Sequence, residues 1–431
     1  MSVKKISADV VVVGSGPGGA TVARDLTLKG KKVIIVEWGK DNKPTGTMIA
    51  ASKYMGGLSG YGKGMMLTPE WVMMIRCITL GGTTLMYSGT AYDPPYEAFK
   101  KYGVDLSPTE TEKLKKELKV QPYPDEFLGP GAKAIMKSAR DLGYDWQKLN
   151  KFVDPSKGKP SVKAMFFGDK SGAKWQARDW ALDAVKNGAQ LLTGTLCEEV
   201  VVENKKATGI LAKGPSGQDY EISADKVVIA AGGVGSPTIL QRSGIYEAGK
   251  NFFFDPFVMT YGYLDQSLPE DVVMAAGVHL DEGLVITDMS TPWCMYAYYA
   301  VSAFKPLKMY KTRGLVGLMA KARDDMHGEI SITGKVTKPL TLDDHHKLNI
   351  GKAVSRKILL NAGATDIWYS VNAAAHPGGT CRIGEIVNSD LETNVKNLFV
   401  VDGSVIPEPW GLPPVLTIIC LARRLSQRLV S

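Results

Sequence analysis

DVVVVGSGPGG occupies residues 9–19 of this chain, and Glu37 stands 18 residues after the last of these glycines. The apolar run 9–13 is typical of a buried strand, while residues 18–29 and 32–37 have the patterns of a helix and a second strand. A strand, a glycine turn, a helix and a second strand that ends in an acid together predict a βαβ unit that binds a dinucleotide.

Each glycine of the turn has its own expected role. Gly14 allows the tight turn, Gly16 lets the backbone approach a pyrophosphate, and Gly19 lets the helix pack closely on the strand. The helix amino terminus offers N–H groups and a positive dipole to the phosphates. We expect Glu37 to accept hydrogen bonds from the ribose hydroxyls and Trp38 to contact the same cofactor. A glycine turn without a ligand is the alternative, and NAD and FAD both use such a unit.

Length and composition narrow the class of protein. A chain of 431 residues exceeds one ordinary core, so we expect two lobes, which need not be continuous segments. The hydrophobic content of 44% with 22% charged residues is typical of a soluble globular protein. The net charge of +8 is spread along the chain without a basic run. This excludes a nucleic-acid-binding arm and gives mild help to anionic ligands.

The cysteines and the amino terminus indicate a cytoplasmic protein. No C-x-x-C pair or metal-ligand spacing joins the five cysteines, so we expect reduced thiols and neither a disulfide framework nor a metal site. The first residues lack the layout of a signal peptide, and no apolar run approaches the roughly 20 residues that span a bilayer. The cysteines are Cys77, Cys197, Cys294, Cys381 and Cys420.

The second half of the chain has a different pattern. Residues 250–340 alternate like strands and are rich in aromatic residues, which predicts an antiparallel sheet suited to the wall of a pocket. Residues 293–310 are aromatic and are followed by basic residues. We favour a buried wall of a substrate lobe for this stretch, with contact to a membrane surface as the alternative. Residues 342–362 have the pattern of an amphipathic helix.

Several further segments resemble the glucose–methanol–choline (GMC) oxidoreductases. The clearest is HPGGTCRIG at 376–384, followed by VDGSVIP at 401–407 and LTI at 416–418. LGGTT at 80–84 and GVGSPTILQRSGI at 233–245 are similar to two earlier motifs of that family. Shorter matches are most similar to the branch of long-chain-alcohol and gluconate dehydrogenases: GAK at 172–174, NGA at 187–189 and LNAGA at 360–364.

This resemblance implies an α/β fold, in which a Rossmann-like FAD-binding domain carries a discontinuous antiparallel-sheet substrate domain. The implied cofactor is FAD. Family histidines that carry the flavin covalently stand in the earlier Gly-Gly segment, which has no histidine here, so we expect noncovalent binding. The domain boundaries that we expect are 1–95, 165–250 and 376–431 for the FAD-binding domain, 96–164 for a helical, cofactor-covering segment, and 251–375 for the substrate domain.

The resemblance also implies the catalytic base. His376 stands at the position of the family's active-site histidine. Alcohol oxidation moves a hydride from the carbinol carbon to flavin N5 while a base takes the hydroxyl proton, and the pKa of histidine suits that task. A buried structural histidine in a glycine turn is the alternative.

Further cofactor contacts follow from the same motifs. Gly81, Gly82 and Thr83 are expected along the flavin, and Asp402 with Gly403 beside its ribityl and pyrophosphate region, although Asp402 could instead cap a helix. The helix that starts at Val415 is expected to direct its amino terminus at the flavin pyrimidine, with Thr417 as a contact. Cys197 is expected to meet the adenine through backbone groups, or to be an ordinary strand cysteine.

Two positions depart from the family pattern. Pro413 stands where members usually carry a second active-site histidine or asparagine, and Tyr87 stands in the place of an asparagine beside the flavin. Half of the usual catalytic pair is therefore missing.

The function that we expect is FAD-dependent oxidation of a CH–OH group of a largely apolar or cyclic alcohol, with His376 as base. One alternative is a flavoenzyme for desaturation, isomerisation or a lyase reaction. The other is a flavin subunit of a larger electron-transfer complex. The substrate is a small molecule, and the sequence leaves open the electron acceptor, a redox partner, homo-oligomers and peripheral membrane contact.

Overall fold

The computed structural model describes residues 2–55, 64–268, 273–281 and 283–430. The helices within them are α1 (Pro17–Leu28), α2 (Met48–Tyr54), α3 (Tyr96–Lys100), α4 (Pro108–Glu117), α5 (Pro130–Asp141), α6 (Val162–Phe167), α7 (Ala177–Lys186), α8 (Gly232–Arg242), α9 (Trp293–Ser302), α10 (Leu342–Asn361) and α11 (Val415–Val430).

The strands, in chain order, are β1 (Lys4–Val13), β2 (Val33–Glu37), β3 (Met65–Leu67), β4 (Met73–Ile75), β5 (Thr90–Ala91), β6 (Val120–Pro122), β7 (Gln147–Lys148), β8 (Asn150–Phe152), β9 (Gln190–Thr193), β10 (Leu196–Glu203), β11 (Lys206–Lys213), β12 (Asp219–Ile229), β13 (Phe253–Tyr263), β14 (Val273–Leu280), β15 (Leu284–Met289), β16 (Leu315–Ala322), β17 (Glu329–Ile330), β18 (Val336–Thr337), β19 (Thr365–Tyr369), β20 (Ala373–Gly378) and β21 (Leu398–Val400).

The first sheet contains the predicted βαβ unit. Its strand order is β10-β11-β12-β1-β2-β9, and β21 also pairs with β12. The register of β1 on β2 is parallel, with Val10 opposite Val33, and α1 joins the two strands and packs against α7 and α11. Residues 10–13 and 33–36 are buried, as expected for strands of a parallel sheet covered by helices. The predicted strand, turn, helix and strand are therefore confirmed.

The second sheet is the predicted antiparallel sheet. Its order is β3-β4-β20-β13-β16-β15-β14-β7, with β19 also paired to β13, and β13, β16, β15 and β14 run antiparallel to their neighbours. The amphipathic helix α10 packs against this sheet. Gly351 permits the close approach, because a Cβ there would lie 2.6 Å from the Cβ of Ala320. Smaller sheets join β5-β8-β6 and β17-β18.

One part of the 250–340 segment is not β-like. Residues 293–302 form the helix α9, whose buried face consists of Tyr296, Ala297, Tyr299 and Ala300. Their spacing is helical, but aromatic residues also favour strands, so the short aromatic run was ambiguous in the sequence. The expected wall is present on this buried face, whereas other side chains of α9 are exposed.

The two large sheets differ in how well their strands follow the expected domain boundaries. Strands of the first sheet all come from the three segments assigned to the FAD-binding domain, whereas the second sheet also takes β3, β4 and β7 from outside residues 251–375. The domain boundaries stay a prediction. Among the described residues, no helix has both the length and the apolarity needed to cross a membrane.

Candidate cofactor and active site

In the glycine turn between β1 and α1, Gly14 and Gly19 are packed against backbone atoms, whereas Gly16 faces open space. A Cβ at Gly14 would lie 2.2 Å from the carbonyl oxygen of Ala230, and a Cβ at Gly19 would lie 2.0 Å from that of Gly14. A Cβ at Gly16 would meet no described atom within 4 Å. Gly16 is also the N-cap of α1, which has neither a side-chain cap nor an acid in its first turn. This open, uncapped helix end fits a pyrophosphate.

Glu37 ties the end of β2 to this turn. Its Oε2 accepts hydrogen bonds from the amide of Ser15 at 3.0 Å and from the Ser15 hydroxyl at 2.6 Å, and its Oε1 accepts one from the Gly39 amide at 2.6 Å. Burial raises the pKa of Glu37. A carboxylate has about four acceptor sites, so one remains for a ribose hydroxyl, and that contact stays a prediction.

The Gly-Gly segment lies against the same turn. The amide of Gly81 donates to the Ser15 hydroxyl at 2.9 Å, and a Cβ at Gly82 would lie 3.3 Å from the Cα of Gly16. The next residue, Thr83, is exposed and accepts a hydrogen bond from the Cys77 amide at 3.1 Å. The structure thus brings together Gly81, Gly82 and the glycine turn, which are distant in sequence.

Trp38 lies next to a cation. The guanidinium of Arg76 stands 5.4 Å from the centre of its ring, and burial lowers the pKa of Arg76 to about 10. Trp38 is partly exposed, and its contact with the cofactor stays a prediction.

Asp402 makes the hydrogen bonds of a capping residue. Its Oδ2 accepts from the Gly232 amide at 2.8 Å and the Ser236 hydroxyl at 2.5 Å, while Oδ1 accepts from the Ser404 amide at 2.8 Å. Asp402 therefore holds the start of α8, and its cofactor contact remains a prediction. The next residue, Gly403, lies beside the histidine motif, because a Cβ there would be 2.8 Å from the carbonyl oxygen of Pro377.

For three other expected cofactor contacts, the structure shows only the strand or helix to which each residue belongs. Cys197 is buried in β10, and burial raises the pKa of its thiol to about 12. Val415 is the first residue of α11, and Thr417 in the first turn is buried. Their roles toward a cofactor stay predictions.

His376 is held by an acid that the sequence analysis missed. Its Nδ1 lies 2.7 Å from Oδ2 of Asp255, on the adjacent strand β13. His376 has φ +58, a left-handed conformation that costs a non-glycine residue of order 1–3 kcal/mol and is often found at functional sites. An ionised carboxylate only accepts hydrogen bonds, so Nδ1 carries the proton and donates to Asp255. Nε2 is then free to accept a proton.

A buried lysine completes this cluster. Nζ of Lys321, on β16, lies 3.1 Å from Oδ2 of Asp255 and 3.4 Å from Nδ1 of His376. Burial and the charge of Lys321 lower the pKa of His376, while Asp255 opposes the change. This lowered pKa favours the uncharged imidazole at neutral pH. Burial likewise lowers the pKa of Lys321 against the attraction of Asp255.

A second buried ion pair lies next to the first. Nζ of Lys338 is 3.0 Å from Oδ2 of Asp324, and the same oxygen accepts a hydrogen bond from the Phe254 amide at 3.1 Å. Burial raises the pKa of Asp324 to about 8, and Asp255 adds to the effect. The signal in the sequence was a single charge inside an apolar run: Asp255 follows three phenylalanines, and Lys321 interrupts Leu318–Ala322.

The two departures from the family pattern have distinct settings. The hydroxyl of Tyr87 donates to the carbonyl oxygen of Trp175 at 2.7 Å, so its one proton is already used. Pro413 is buried in the loop before α11, which runs beside the end of β16: a Cβ at Gly411 would lie 3.2 Å from the amide nitrogen of Arg323.

A cavity of about 140 Å³ lies beside α9. Trp293 and Tyr296 of that helix line it, together with Tyr261 on β13 and Met289 at the end of β15. His376 and Asp255 are not among the residues that line this cavity, so the expectation that aromatic residues of the 290s line the substrate pocket stays a prediction. Among the described residues, no group of three or more His, Cys, Asp or Glu is arranged to hold a metal ion.

Comparisons with known proteins agree with this architecture. The amino-terminal model of the GMC oxidoreductase family matches residues 9–257, and its carboxyl-terminal model matches residues 338–422. An uncharacterised GMC-type oxidoreductase of Mycobacterium tuberculosis is 25% identical over 98% of this chain and 76% of its own length. The long-chain-alcohol oxidase FAO3 of Arabidopsis thaliana is 24% identical over 99% of this chain and 68% of its own length.

Two solved structures share the fold at low sequence identity. Pyridoxine 4-oxidase from Mesorbium loti superposes with a TM-score of 0.71 at 15% identity, covering 97% of this chain and 98% of its own. A formate oxidase from Aspergillus oryzae, in a study of FAD modification, superposes with a TM-score of 0.74 at 14% identity over 99% of both chains.

Proposed function

Since two family models together match most of its length, this chain belongs to the GMC oxidoreductase family, and on that basis we propose that it is an FAD-dependent enzyme that oxidises a CH–OH group of a largely apolar or cyclic alcohol. The hydrogen bond from Nδ1 of His376 to Asp255 carries this proposal. It leaves Nε2 of an uncharged imidazole to act as a base.

The residues around the glycine turn fit an FAD. We propose that the amino terminus of α1 holds the pyrophosphate at Gly16, where a Cβ would meet no described atom within 4 Å. The remaining acceptor site of Glu37 would bind a ribose hydroxyl. Binding would be noncovalent, since the segment around Gly81 and Gly82 contains no histidine.

FAD, when bound, supplies the acceptor for the hydride that leaves the carbinol carbon. The chain itself has to move the hydroxyl proton, and we propose that Nε2 of His376 takes it. As the imidazole becomes positively charged, the carboxylate of Asp255 stabilises it through the hydrogen bond to Nδ1. Burial and then the charge of Lys321 lower the pKa of His376, which favours the uncharged imidazole before the reaction.

We propose that the cavity beside α9 admits an apolar substrate between Tyr261, Trp293 and Tyr296, with Asp288 and Thr291 as polar residues of the same lining. The name of the Arabidopsis relative, a long-chain-alcohol oxidase, points to the same substrate class. We propose an alcohol of this kind as the donor.

A second candidate function rests on the missing partner of His376. Pro413 has no polar side chain, and the proton of the Tyr87 hydroxyl is used by Trp175. A site with a single base would suit desaturation, isomerisation or a lyase reaction of a flavoenzyme. A flavin subunit that passes electrons to a partner is the remaining alternative.

Anaerobic reduction of the bound flavin by a panel of alcohols separates the oxidation of an alcohol from the other two functions. Bleaching by apolar or cyclic alcohols supports the oxidation of CH–OH. A flavin that no alcohol bleaches, but that a co-purifying protein oxidises or reduces, would favour the electron-transfer subunit.

A further inference from the structure

The helix α9 and the turn that follows it expose an unusual amount of apolar surface. We define the α9 corner as residues 293–313. Phe304 is 95% exposed, Leu307 82% and Tyr310 77%. Trp293 and Val301 on the helix are also more than half exposed. Solvated single apolar residues are common, but five exposed ones within 18 residues, on a helix and a turn that pack against each other, indicate an interaction site.

Hydrogen bonds within the α9 corner hold its backbone in place. Trp293 Nε1 donates to the carbonyl oxygen of Met309 at 3.0 Å. The hydroxyl of Tyr296 donates to the carbonyl oxygen of Lys308 at 3.0 Å. The amide of Phe304 donates to the carbonyl oxygen of Val301 at 3.0 Å. Phe304 has φ +57, so the chain turns sharply at the most exposed of these apolar residues. The apolar side chains are therefore presented by a fixed backbone.

The charge of the corner has one sign. Residues 289–323 contain no Asp or Glu, and the corner itself carries Lys305, Lys308, Lys311 and Arg313. Lys308 and Lys311 form ion pairs with Asp366. Lys305 and Arg313 are exposed, and no carboxylate of the described residues forms an ion pair with either. A partner for this surface should therefore combine an apolar layer with negative charge.

We propose that the α9 corner docks on the surface of an anionic lipid bilayer. Phe304, Leu307 and Tyr310 enter the boundary between headgroups and acyl chains, and Lys305 and Arg313 bind the lipid phosphates. Interfaces between proteins are depleted of lysine at their cores, whereas lysines interleaved with protruding aromatic residues suit a membrane surface. Charge complementarity thus favours the bilayer over a second copy of the chain.

Docking there would bring the cavity beside α9 close to the bilayer. Trp293 belongs to both the exposed corner and the lining of that cavity, and the buried Tyr296 lines it from the same helix. An apolar molecule dissolved in the bilayer would have a short path to the cavity. Docking itself does not depend on the reaction that the enzyme performs.

Sedimentation of the holoenzyme with lipid vesicles tests the proposal. The probes are vesicles of phosphatidylcholine alone and of phosphatidylcholine with phosphatidylglycerol. We expect wild-type protein to sediment with the anionic vesicles and to be released by salt. The double variant Phe304→Ser, Leu307→Ser should bind at least about tenfold more weakly, because it removes two inserted side chains. Leu342→Ser, at a residue 89% exposed on α10, is the matched control and should bind like wild type.

A charge variant gives a second measurement. Lys305→Glu with Arg313→Glu should lose the preference for anionic vesicles, since each basic residue near the surface contributes roughly a fivefold gain in partition. Wild-type protein that does not sediment with either vesicle would overturn the proposal. Equal loss of binding in the Leu342→Ser control would do the same. The proposal would also be overturned if wild-type protein bound no vesicles and formed a dimer in size-exclusion chromatography, while the double variant Phe304→Ser, Leu307→Ser was a monomer.

Discussion

Nδ1 of His376 and Oδ2 of Asp255 are 2.7 Å apart on two neighbouring antiparallel strands, β20 and β13. The pairing of these strands places Asp255 opposite Ala375, next to the histidine. The carboxylate is almost fully buried, whereas the imidazole is partly exposed. A buried acid behind a partly exposed imidazole fixes the tautomer and leaves one ring nitrogen for a substrate proton.

Replacing Asp255 should disable His376 without removing the flavin. The amide of Asp255→Asn can donate to Nδ1, which favours the tautomer with a proton on Nε2, and that nitrogen then cannot act as a base. We expect flavin reduction to slow by at least about 10²-fold, the usual scale for losing an acid–base group. Stopped-flow reduction under argon measures the rate.

Asp324→Asn is the matched control for that variant. Asp324 is also a buried carboxylate in an ion pair, but its partners are Lys338 and the Phe254 amide. The rate of flavin reduction in Asp324→Asn should be within a few-fold of the wild-type rate. An equal loss in both variants would assign the effect to the fold, and Asp255 would lose its role in positioning His376.

The pH dependence of flavin reduction should respond to Lys321. Protonated imidazole cannot take a proton, so reduction slows as the pH falls through the pKa of His376. Burial and the charge of Lys321 both lower that pKa, so Lys321→Met, which removes the charge, should raise it and shift the acid limb of the pH profile to higher pH. Asp255 raises the pKa of His376, so Asp255→Asn should shift the residual activity to lower pH. Shifts in the same direction would contradict this electrostatic account.

Much of the fold could be predicted because its signals are local. The βαβ unit is encoded within residues 4–37, and its strands, turn and helix are each visible as a pattern of neighbouring residues. His376 was singled out by a short motif. Asp255 and Lys321 were not, because they are 121 and 55 residues away from His376 along the chain and meet it only through the pairing of β13 with β16 and β20.

The secondary structure and the exposure of the helix α9 could not be predicted from its sequence, for a different reason. Its aromatic residues favour strands by propensity, and the helical spacing of Tyr296, Tyr299 and Ala300 covers little more than one turn. Which side chains would be exposed depended on the packing of this helix against Tyr261 and Tyr263. The aromatic run therefore indicated a buried wall, whereas the segment is buried on one face only.

Gly16 offers a direct test of the cofactor site. Because a Cβ at Gly16 would meet no described atom within 4 Å, Gly16→Val should fold with an unchanged Tm in the absence of FAD. It should nevertheless fail to bind FAD, since a side chain there blocks the approach of a pyrophosphate. Gly19→Val is the contrasting variant, because its Cβ would lie 2.0 Å from the Gly14 carbonyl oxygen and should lower the Tm. Normal FAD binding by Gly16→Val would place the cofactor elsewhere.

Pro413 tests the missing half of the catalytic pair. A hydrogen bond to an oxygen that develops charge contributes roughly 1.5–3 kcal/mol, so a site without it should be slow on simple alcohols. We expect Pro413→Asn to speed flavin reduction by small primary or secondary alcohols and to leave the rate with the native substrate equal or lower. A variant that reduces no alcohol faster than wild type would mean that position 413 does not face the substrate oxygen.

The base assigned to His376 is tested most directly by anaerobic flavin reduction in wild type and His376→Ala, each loaded with FAD, against the same apolar and cyclic alcohols. We predict that these alcohols bleach the wild-type flavin, and that the variant retains its FAD but is reduced at least about 10²-fold more slowly. Equal reduction rates in the two proteins, or no bleaching of the wild-type flavin by any alcohol, would contradict the proposed function.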